Sequence, residues 1–331
     1  MLDWKPFVEL VRAHRRFLLT THVRPDGDGL GSMLALGDTL RRKGSEVRLF
    51  IASTLPARYR FLDPEGTIQR CDEQNPPRIV ADVLIVLDTG TWNQLGALGA
   101  AIRSSPAAKV VIDHHQTQDD LGACRFVDTT AEATGRLVFE AIAALGENLS
   151  AKAANELFVA LAMDTGWFRH SNTTPRTFQL ASELVRAGAH PDVLYDRLFE
   201  ENTLGRMKLM GLVLERLQVV AGGKVAYSEI RRTDYAATGA VPQETEDMVN
   251  FTRSLAGVEV GLFFLEQPVG GVKISFRARA RVDVARIAER FGGGGHRLAS
   301  GAVIQAPLEK ARQRVLDCVI AALDAAHCPP R

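Results

Sequence analysis

Four short segments of this 331-residue chain concentrate the residue types that bind divalent cations. They are His22-Val23-Arg24-Pro25-Asp26-Gly27-Asp28, Asp88-Thr89-Gly90, Asp113-His114-His115 and Asp164-Thr165-Gly166. Each directly follows an apolar run, so each is expected at the end of a buried element. A buried carboxylate is costly unless it is paired with opposite charge or bound to metal. Asp26, Asp28, Asp88, Asp113 and Asp164 converging with two or three histidines describe a site for two divalent cations.

Taken singly the segments differ in weight. In the first, a Pro-Asp-Gly turn leads into a helix, and two aspartates two residues apart can point at two ions from one loop. Gly27, Gly29 and Gly31 would let backbone approach a ligand closely. The plainer reading is a solvated turn with Asp28 as the helix N-cap. Asp88 and Asp164, alone, read as cap or turn residues. Asp113-His114-His115 is more specific, because a loop at a strand's carboxyl end is where ligand sites occur. The joint pattern, in order and each after an apolar run, favours the metal site.

A further constellation lies far downstream: Phe291-Gly292-Gly293-Gly294-Gly295-His296, preceded by Ser275-Phe276-Arg277-Ala278-Arg279-Ala280-Arg281 and a helical stretch from Asp283 to Arg290. Successive glycines expose backbone N–H groups that can cradle a phosphate, and an arginine adds charge-assisted bonds. The alternative is a flexible linker. His14, His170, His190 and His327 join none of these groups and read as structural or surface residues, His170 being nearest to one.

The elements that must position these residues follow from hydropathy. Phe17-Leu18-Leu19-Thr20-Thr21 reads as a strand ending at His22, and Gly29 to Arg42 has helical spacing. Strands follow at Glu46 to Ile51, Val83 to Leu87 and Lys109 to Ile112. The latter two are continuous apolar runs, as in parallel strands covered on both faces. Ala131 to Leu145 and Ala151 to Met163 read as helices. The alternation implies an α/β fold with a doubly wound, mainly parallel sheet, whose ligands bind beyond the carboxyl ends of its strands. Asp196 to Gln218 reads as one long helix broken by Gly222-Gly223. New strand runs follow at Val225, Val260 and Val272, giving a smaller mixed α/β domain. The expected division is residues 1–190, a helical linker 191–215, and 216–331.

Composition narrows the function. Forty basic and 39 acidic residues leave a net charge of +1, which argues against a long nucleic-acid footprint and leaves room for a small anionic substrate. Four scattered cysteines (Cys71, Cys124, Cys318, Cys328) read as reduced thiols. No signal-like N-terminus or spanning segment is evident, so a soluble cytoplasmic protein with no membrane partner is expected. A homodimer is compatible with the sequence.

The segments quoted resemble the DHH/DHHA1 phosphoesterase family, most closely its short nanoRNase/pAp-phosphatase (NrnA-like) members, over nearly the whole chain. The resemblance implies that His22, Asp26 and Asp88 bind one ion and that Asp28, Asp88, His114 and Asp164 bind the other, with Asp88 bridging. Manganese is the implied metal. Asp113 would orient a ligand histidine and His115 would face the substrate phosphate. Arg277 with Gly293, Gly294, Gly295 and His296 would grip another phosphate. The implied reaction is hydrolysis, by a hydroxide bridging two cations, of very short RNAs, linear dinucleotides and 3′-phosphoadenosine 5′-phosphate (pAp). Ala133 and Ser300 depart from the family's usual residues. The competing readings are a RecJ-like single-strand exonuclease, a pyrophosphatase of the same superfamily (which would lack the glycine-rich segment), and a catalytically silent nucleotide-binding module.

Overall fold

The structure is a computed structural model and describes residues 2–72, 79–245, 247–279 and 282–327. Ala280, Arg281 and Cys328, named above, lie outside these residues. The chain divides into two units, Met1–Glu201 and Asn202–Arg331.

In the first unit six strands form one parallel sheet: β1 (Arg16–Thr20), β2 (Glu46–Ile51), β3 (Ile68–Arg70), β4 (Val83–Leu87), β5 (Ala108–Asp113) and β6 (Cys124–Val127). Their spatial order is β3-β2-β1-β4-β5-β6. The chain runs outward from β1 to β3, then returns to pair β4 against the other side of β1, with Phe17 opposite Val83 and Thr20 opposite Val86. Such a reversal opens a crevice at the carboxyl ends of the two central strands, because their connections leave in opposite directions. The segments that follow β1 and β4 carry His22, after Thr21, and Asp88.

The helices are α1 (Lys5–Ala13), α2 (Gly27–Arg42), α3 (Ala97–Ser104), α4 (Thr134–Ala144), α5 (Ala151–Asp164), α6 (Pro175–Arg186) and α7 (Pro191–Tyr195). Phe17 and Leu19 of β1 point to one core with Leu30, Met33 and Leu137. Leu18, between them, points to the other with Leu84 and Ile102. Burial on both faces explains the uninterrupted apolar runs. Helix α2 begins two residues earlier than its spacing suggested, with Asp26, not Asp28, as N-cap. Its Oδ1 accepts the N–H groups of Asp28 and Gly29 at 3.0 and 3.1 Å. The α2 glycines serve packing: a Cβ on Gly31 would lie 2.2 Å from the Glu156 carbonyl oxygen of α5, and one on Gly27 would strike Met163. The carboxyl end of α5, carrying Asp164, thereby reaches the amino end of α2.

The single helix expected from Asp196 to Gln218 is absent. Asp196–Glu200 forms one wide π turn after α7, the chain opens at Glu201, and α8 (Leu204–Glu215) starts anew. Thr203 is extended and its Oγ1 accepts the Arg206 N–H at 3.0 Å. An apolar rhythm continues across the break, but a residue that caps a helix cannot also sit inside one.

The second unit holds β7 (Gln218–Val220), β8 (Val225–Ile230), α9 (Arg232–Thr238), α10 (Val249–Ser254), β9 (Val260–Glu266), β10 (Val272–Ala278), α11 (Val284–Glu289), β11 (Gly294–His296), β12 (Ala299–Ile304) and α12 (Leu308–His327). Its mixed sheet has the order β11-β12-β10-β9-β8-β7, with β8 and β9 parallel and the other neighbours antiparallel. Alternate residues of β9 serve two cores: Leu262 and Phe264 join Ala311, Val315 and Val319 of α12, whereas Phe263 and Leu265 join Leu209 and Val213 of α8. Spacing of four along α12 puts its apolar residues on one face.

Candidate metal centre

Three adjacent parallel strands, β1, β4 and β5, end side by side, and a histidine or aspartate follows each. Asp88 takes a left-handed backbone (φ 62°) and donates its N–H to the Ile112 carbonyl at 3.0 Å. That conformation is uncommon for a residue with a Cβ and marks a constrained site. It turns the carboxylate into the crevice, 3 % exposed. Oδ2 of Asp88 stands 3.4 Å from His22 Nε2, and its Oδ1 stands 3.6 Å from His114 Nε2. One carboxylate thus faces two imidazoles through different oxygens.

The remaining groups gather around those two histidines. Asp26 Oδ1 lies 3.7 Å from His22 Nε2. Asp28 Oδ2 and Asp164 Oδ2 lie 3.8 and 3.7 Å from His114 Nε2. His22, Asp26 and Asp88 form one set, and Asp28, His114 and Asp164 another, with candidate ligand atoms within 4.8 Å of one another in each. Both imidazoles are oriented from behind: His22 Nδ1 meets the Val23 carbonyl at 2.9 Å and His114 Nδ1 the Ala131 carbonyl at 3.0 Å. With Nδ1 donating its proton to the carbonyl, Nε2 is turned toward the carboxylates, where its lone pair could meet a metal ion held between them, the arrangement found behind most metal-bound histidines.

Electrostatics agree with the geometry. Burial pushes the Asp28 carboxyl well above the usual range, and the charges of Asp88, Asp164 and Asp26 add to it. Burial likewise lifts Asp164 to about 7, helped by Asp88 and Asp26 and opposed by His114. Burial works against a charged His22, yet the neighbouring Asp26 and Asp88 carboxylates raise it to about 11. The part of the crevice lined by Asp28 and Asp164, which hold protons this tightly, is short of positive charge. Divalent cations would supply it, and the mixed carboxylate and imidazole donors suit manganese or its neighbours.

Two residues that sequence reasoning did not single out complete the site. The N-cap residue of α4, Ala133, offers its helix no side-chain acceptor. Asp28 does so from α2: its Oδ2 and Oδ1 accept the N–H groups of Thr134 and Gly135 at 2.6 and 2.8 Å. Thr134 Oγ1 in turn donates to Asp88 Oδ1 at 2.9 Å. The alanine at the cap was the available signal, since helix-end amides need an acceptor from somewhere. The expected role of Asp113 is to orient a ligand histidine. Fully buried at the end of β5, it accepts the His115 Nδ1–H and the His114 backbone N–H, each at 2.8 Å, so the ring that it orients is that of His115. That bond raises His115 to about 9 against the effect of burial, with Asp88 also raising it. His170 is tied to the fourth segment, its Nδ1 lying 3.3 Å from the Asp164 carbonyl.

In the second unit the glycine run turns out of α11 at Gly292 and Gly293 and becomes an edge strand at Gly294–His296. Gly292 and Gly293 give their N–H groups to Glu289 and Ala288 at the end of α11, so these amides are not free for a phosphate. A Cβ on Gly293 would lie 2.1 Å from the Gly301 carbonyl, which is why no larger residue fits. Ser300 is buried, its Oγ donating to the Val284 carbonyl at 2.7 Å. Arg277 of β10 and His296 of β11 both stand opposite Ala299 of β12. Residues in one such row project from the same face, so the two side chains flank a small alanine, roughly 9–10 Å apart at two strand spacings. Among the described residues Arg277 makes one hydrogen bond, to the Phe276 carbonyl, and burial disfavours its charge. The Asp247 carboxylate acts the other way, favouring the charged guanidinium, and Arg253 adds to the effect of burial.

The model of the DHH family, N-terminal domain, matches residues 16–163, and that of the DHHA1 domain matches residues 222–325. The bifunctional oligoribonuclease and PAP phosphatase NrnA of Thermus thermophilus is 32% identical over 302 residues, spanning 91% of this chain and 88% of that protein. The chain belongs to the DHH family and carries its DHHA1 domain. Among solved structures, an exopolyphosphatase-related protein from Bacteroides fragilis has a TM-score of 0.90 at 24% identity, covering 96% of this chain and 95% of that one. RecJ from Thermus thermophilus, solved in complex with Mn2+, has a TM-score of 0.57 at 14% identity, covering 96% and 54%. These likenesses show the fold. Among the described residues no helix is long and apolar enough to cross a membrane.

Proposed function

We propose that the chain is a metal-dependent phosphoesterase that hydrolyses very short oligoribonucleotides to mononucleotides and removes the 3′-phosphate of pAp. The observation that carries this reading is Asp88, set between two histidine–carboxylate clusters with one oxygen toward each. His22, Asp26 and Asp88 would hold one cation, and Asp28, Asp88, His114 and Asp164 the other, with Mn2+ the preferred ion. Such a pair, when bound, supplies an activated water at neutral pH and stabilises charge on the phosphoryl oxygens.

The chain's own groups do the rest. Asp113 holds the His115 ring by Nδ1, which leaves Nε2 of a half-exposed imidazole for a substrate phosphate oxygen. Thr134 and the amino end of α4 keep Asp88 and Asp28 from turning away. In the second unit Arg277 and His296 take a further phosphate, for which charge-assisted bonds give both affinity and orientation. A near-neutral chain with a local anion site favours small substrates, since long strands draw affinity from many phosphate contacts. Cytoplasmic nucleotide turnover is the setting this implies.

The test is metal removal and return. Protein stripped by chelation and verified metal-free should release no mononucleotide from a short RNA and no phosphate from pAp, and Mn2+ should restore both. Full activity in verified metal-free protein would end the reading.

A further inference from the structure

The Asp88-Thr89-Gly90 segment contains a glycine that metal binding does not explain. A Cβ on Gly90 would lie 1.8 Å from Gln118 Oε1 and 2.4 Å from its Cδ, so the missing side chain leaves the space that the Gln118 amide fills. Gly90 and Gln118 form an isolated parallel bridge. The next residue secures it: Asp119 N–H donates to the Gly90 carbonyl at 2.8 Å, and Asp119 Oδ2 accepts the Trp92 N–H at 2.8 Å. From this seat Gln118 Nε2 donates to Asp113 Oδ2 at 2.5 Å and to the His115 carbonyl at 3.1 Å. Both neighbours are acceptors, which fixes which end of the amide faces them.

Asp113 divides its bonds unevenly. Oδ1 accepts the His114 N–H, the His115 N–H and His115 Nδ1–H at 2.8, 3.2 and 2.8 Å. Oδ2 accepts Gln118 alone among the described residues. The carboxylate is fully buried, so without Gln118 this oxygen has no donor and the group gains by rotating toward the shared ones. Any rotation moves the acceptor that holds the His115 ring.

We propose that Gln118 is a positioning residue for the phosphoesterase reaction: seated over Gly90, it fixes Asp113 and, through it, the ring of His115. The inference rests on the reading of His115 as the group that meets the substrate phosphate. It separates the two imidazoles, because the His114 ring is held by the Ala131 carbonyl and only its backbone N–H meets Asp113.

A double-mutant cycle decides it. Gln118→Met keeps the bulk and removes the amide, and misplacing a contact group by about 1 Å costs on the order of a hundredfold in rate. We expect a ten- to hundredfold loss of kcat on a short RNA, with KM and Mn2+ affinity changed by less than about threefold. In a His115→Ala background the same change should cost nothing further. Equal losses in both backgrounds, or Mn2+ affinity falling in step with kcat, would overturn the proposal. Gly90→Ala evicts the amide without touching its chemistry and should reproduce the loss if Gln118→Met folds poorly. A readout independent of turnover is the His115 Nδ1–H proton resonance in Mg2+-loaded protein, identified by its absence in His115→Ala. It should shift and lose exchange protection in Gln118→Met. An unchanged resonance overturns the proposal, whereas a shifted one in protein that hydrolyses nothing overturns the functional reading and leaves the positioning role standing.

Discussion

Thr134 donates its hydroxyl to Asp88 at 2.9 Å across 46 positions of sequence, tying the first turn of α4 to the end of β4. The same residue's N–H holds Asp28 at 2.6 Å. A single threonine therefore orients one carboxylate from each side of the crevice.

Thr134→Val keeps the shape and removes the hydroxyl. Groups that orient metal ligands typically contribute ten- to a hundredfold in affinity, so Mn2+ should bind roughly ten- to a hundredfold more weakly by titration calorimetry. Thr134→Ser should restore it. Wild-type affinity in the valine variant would show that Asp88 is held by the backbone alone.

Asp88→Ala should be among the most damaging single changes, since it removes an oxygen from both clusters. We expect a loss of at least about 4 kcal/mol of transition-state stabilisation, roughly a thousandfold in rate. The secondary structure should persist, because the residue sits past the end of its strand. Near-normal turnover in a variant folded by circular dichroism would rule out the shared role.

Arg277→Ala should leave Mn2+ titration unchanged and raise KM for pAp. A charge-assisted bond contributes about 1.5–3 kcal/mol, so kcat/KM should fall about ten- to a hundredfold. Bis-p-nitrophenyl phosphate, which has no second phosphate to hold, should be far less affected. Equal losses on both substrates would mean that Arg277 supports the fold or the metal centre instead.

Glu156 predicts a pH effect on stability. It is buried on α5 with neither carboxylate oxygen hydrogen-bonded. Burial raises its pKa well above the ordinary value, against Lys152 and Arg41, with Asp38 and Asp63 adding to the rise. The folded state thus binds this proton more tightly than the unfolded chain. The contribution is present below the unfolded pKa, about 4.3, and is lost as pH rises from there through the folded value. Glu156→Gln removes the titration. Its melting temperature should match wild type near pH 4 and exceed it increasingly toward pH 8, by about 2–4 °C per kcal/mol. A constant difference across that range would show that Glu156 stays ionised.

Much of this was legible in the chain because the first sheet is covered on both faces. Continuous apolar runs such as Val83–Leu87 mark its strands, and the residue after each run must face the crevice. What escaped was set by contacts distant in sequence. The partnership of Asp28 with Thr134 spans 106 positions, and no local pattern encodes it. The break before Leu204 was hidden because apolar residues continue on both sides of a threonine cap. Gly294–His296 has no intrinsic preference for a strand and becomes one only by pairing with β12. The glycines of α2 were visible, but their purpose lay in a neighbouring helix.

The most direct measurement is the initial rate per chain end, by product chromatography on Mn2+-reconstituted protein, for pAp, RNA di- to tetranucleotides and a long single-stranded RNA. The account predicts rapid release of mononucleotides from the short RNAs and of phosphate from pAp, with the long strand far slower. Equal rates per end on a dinucleotide and on the long RNA would contradict it and favour a RecJ-like exonuclease.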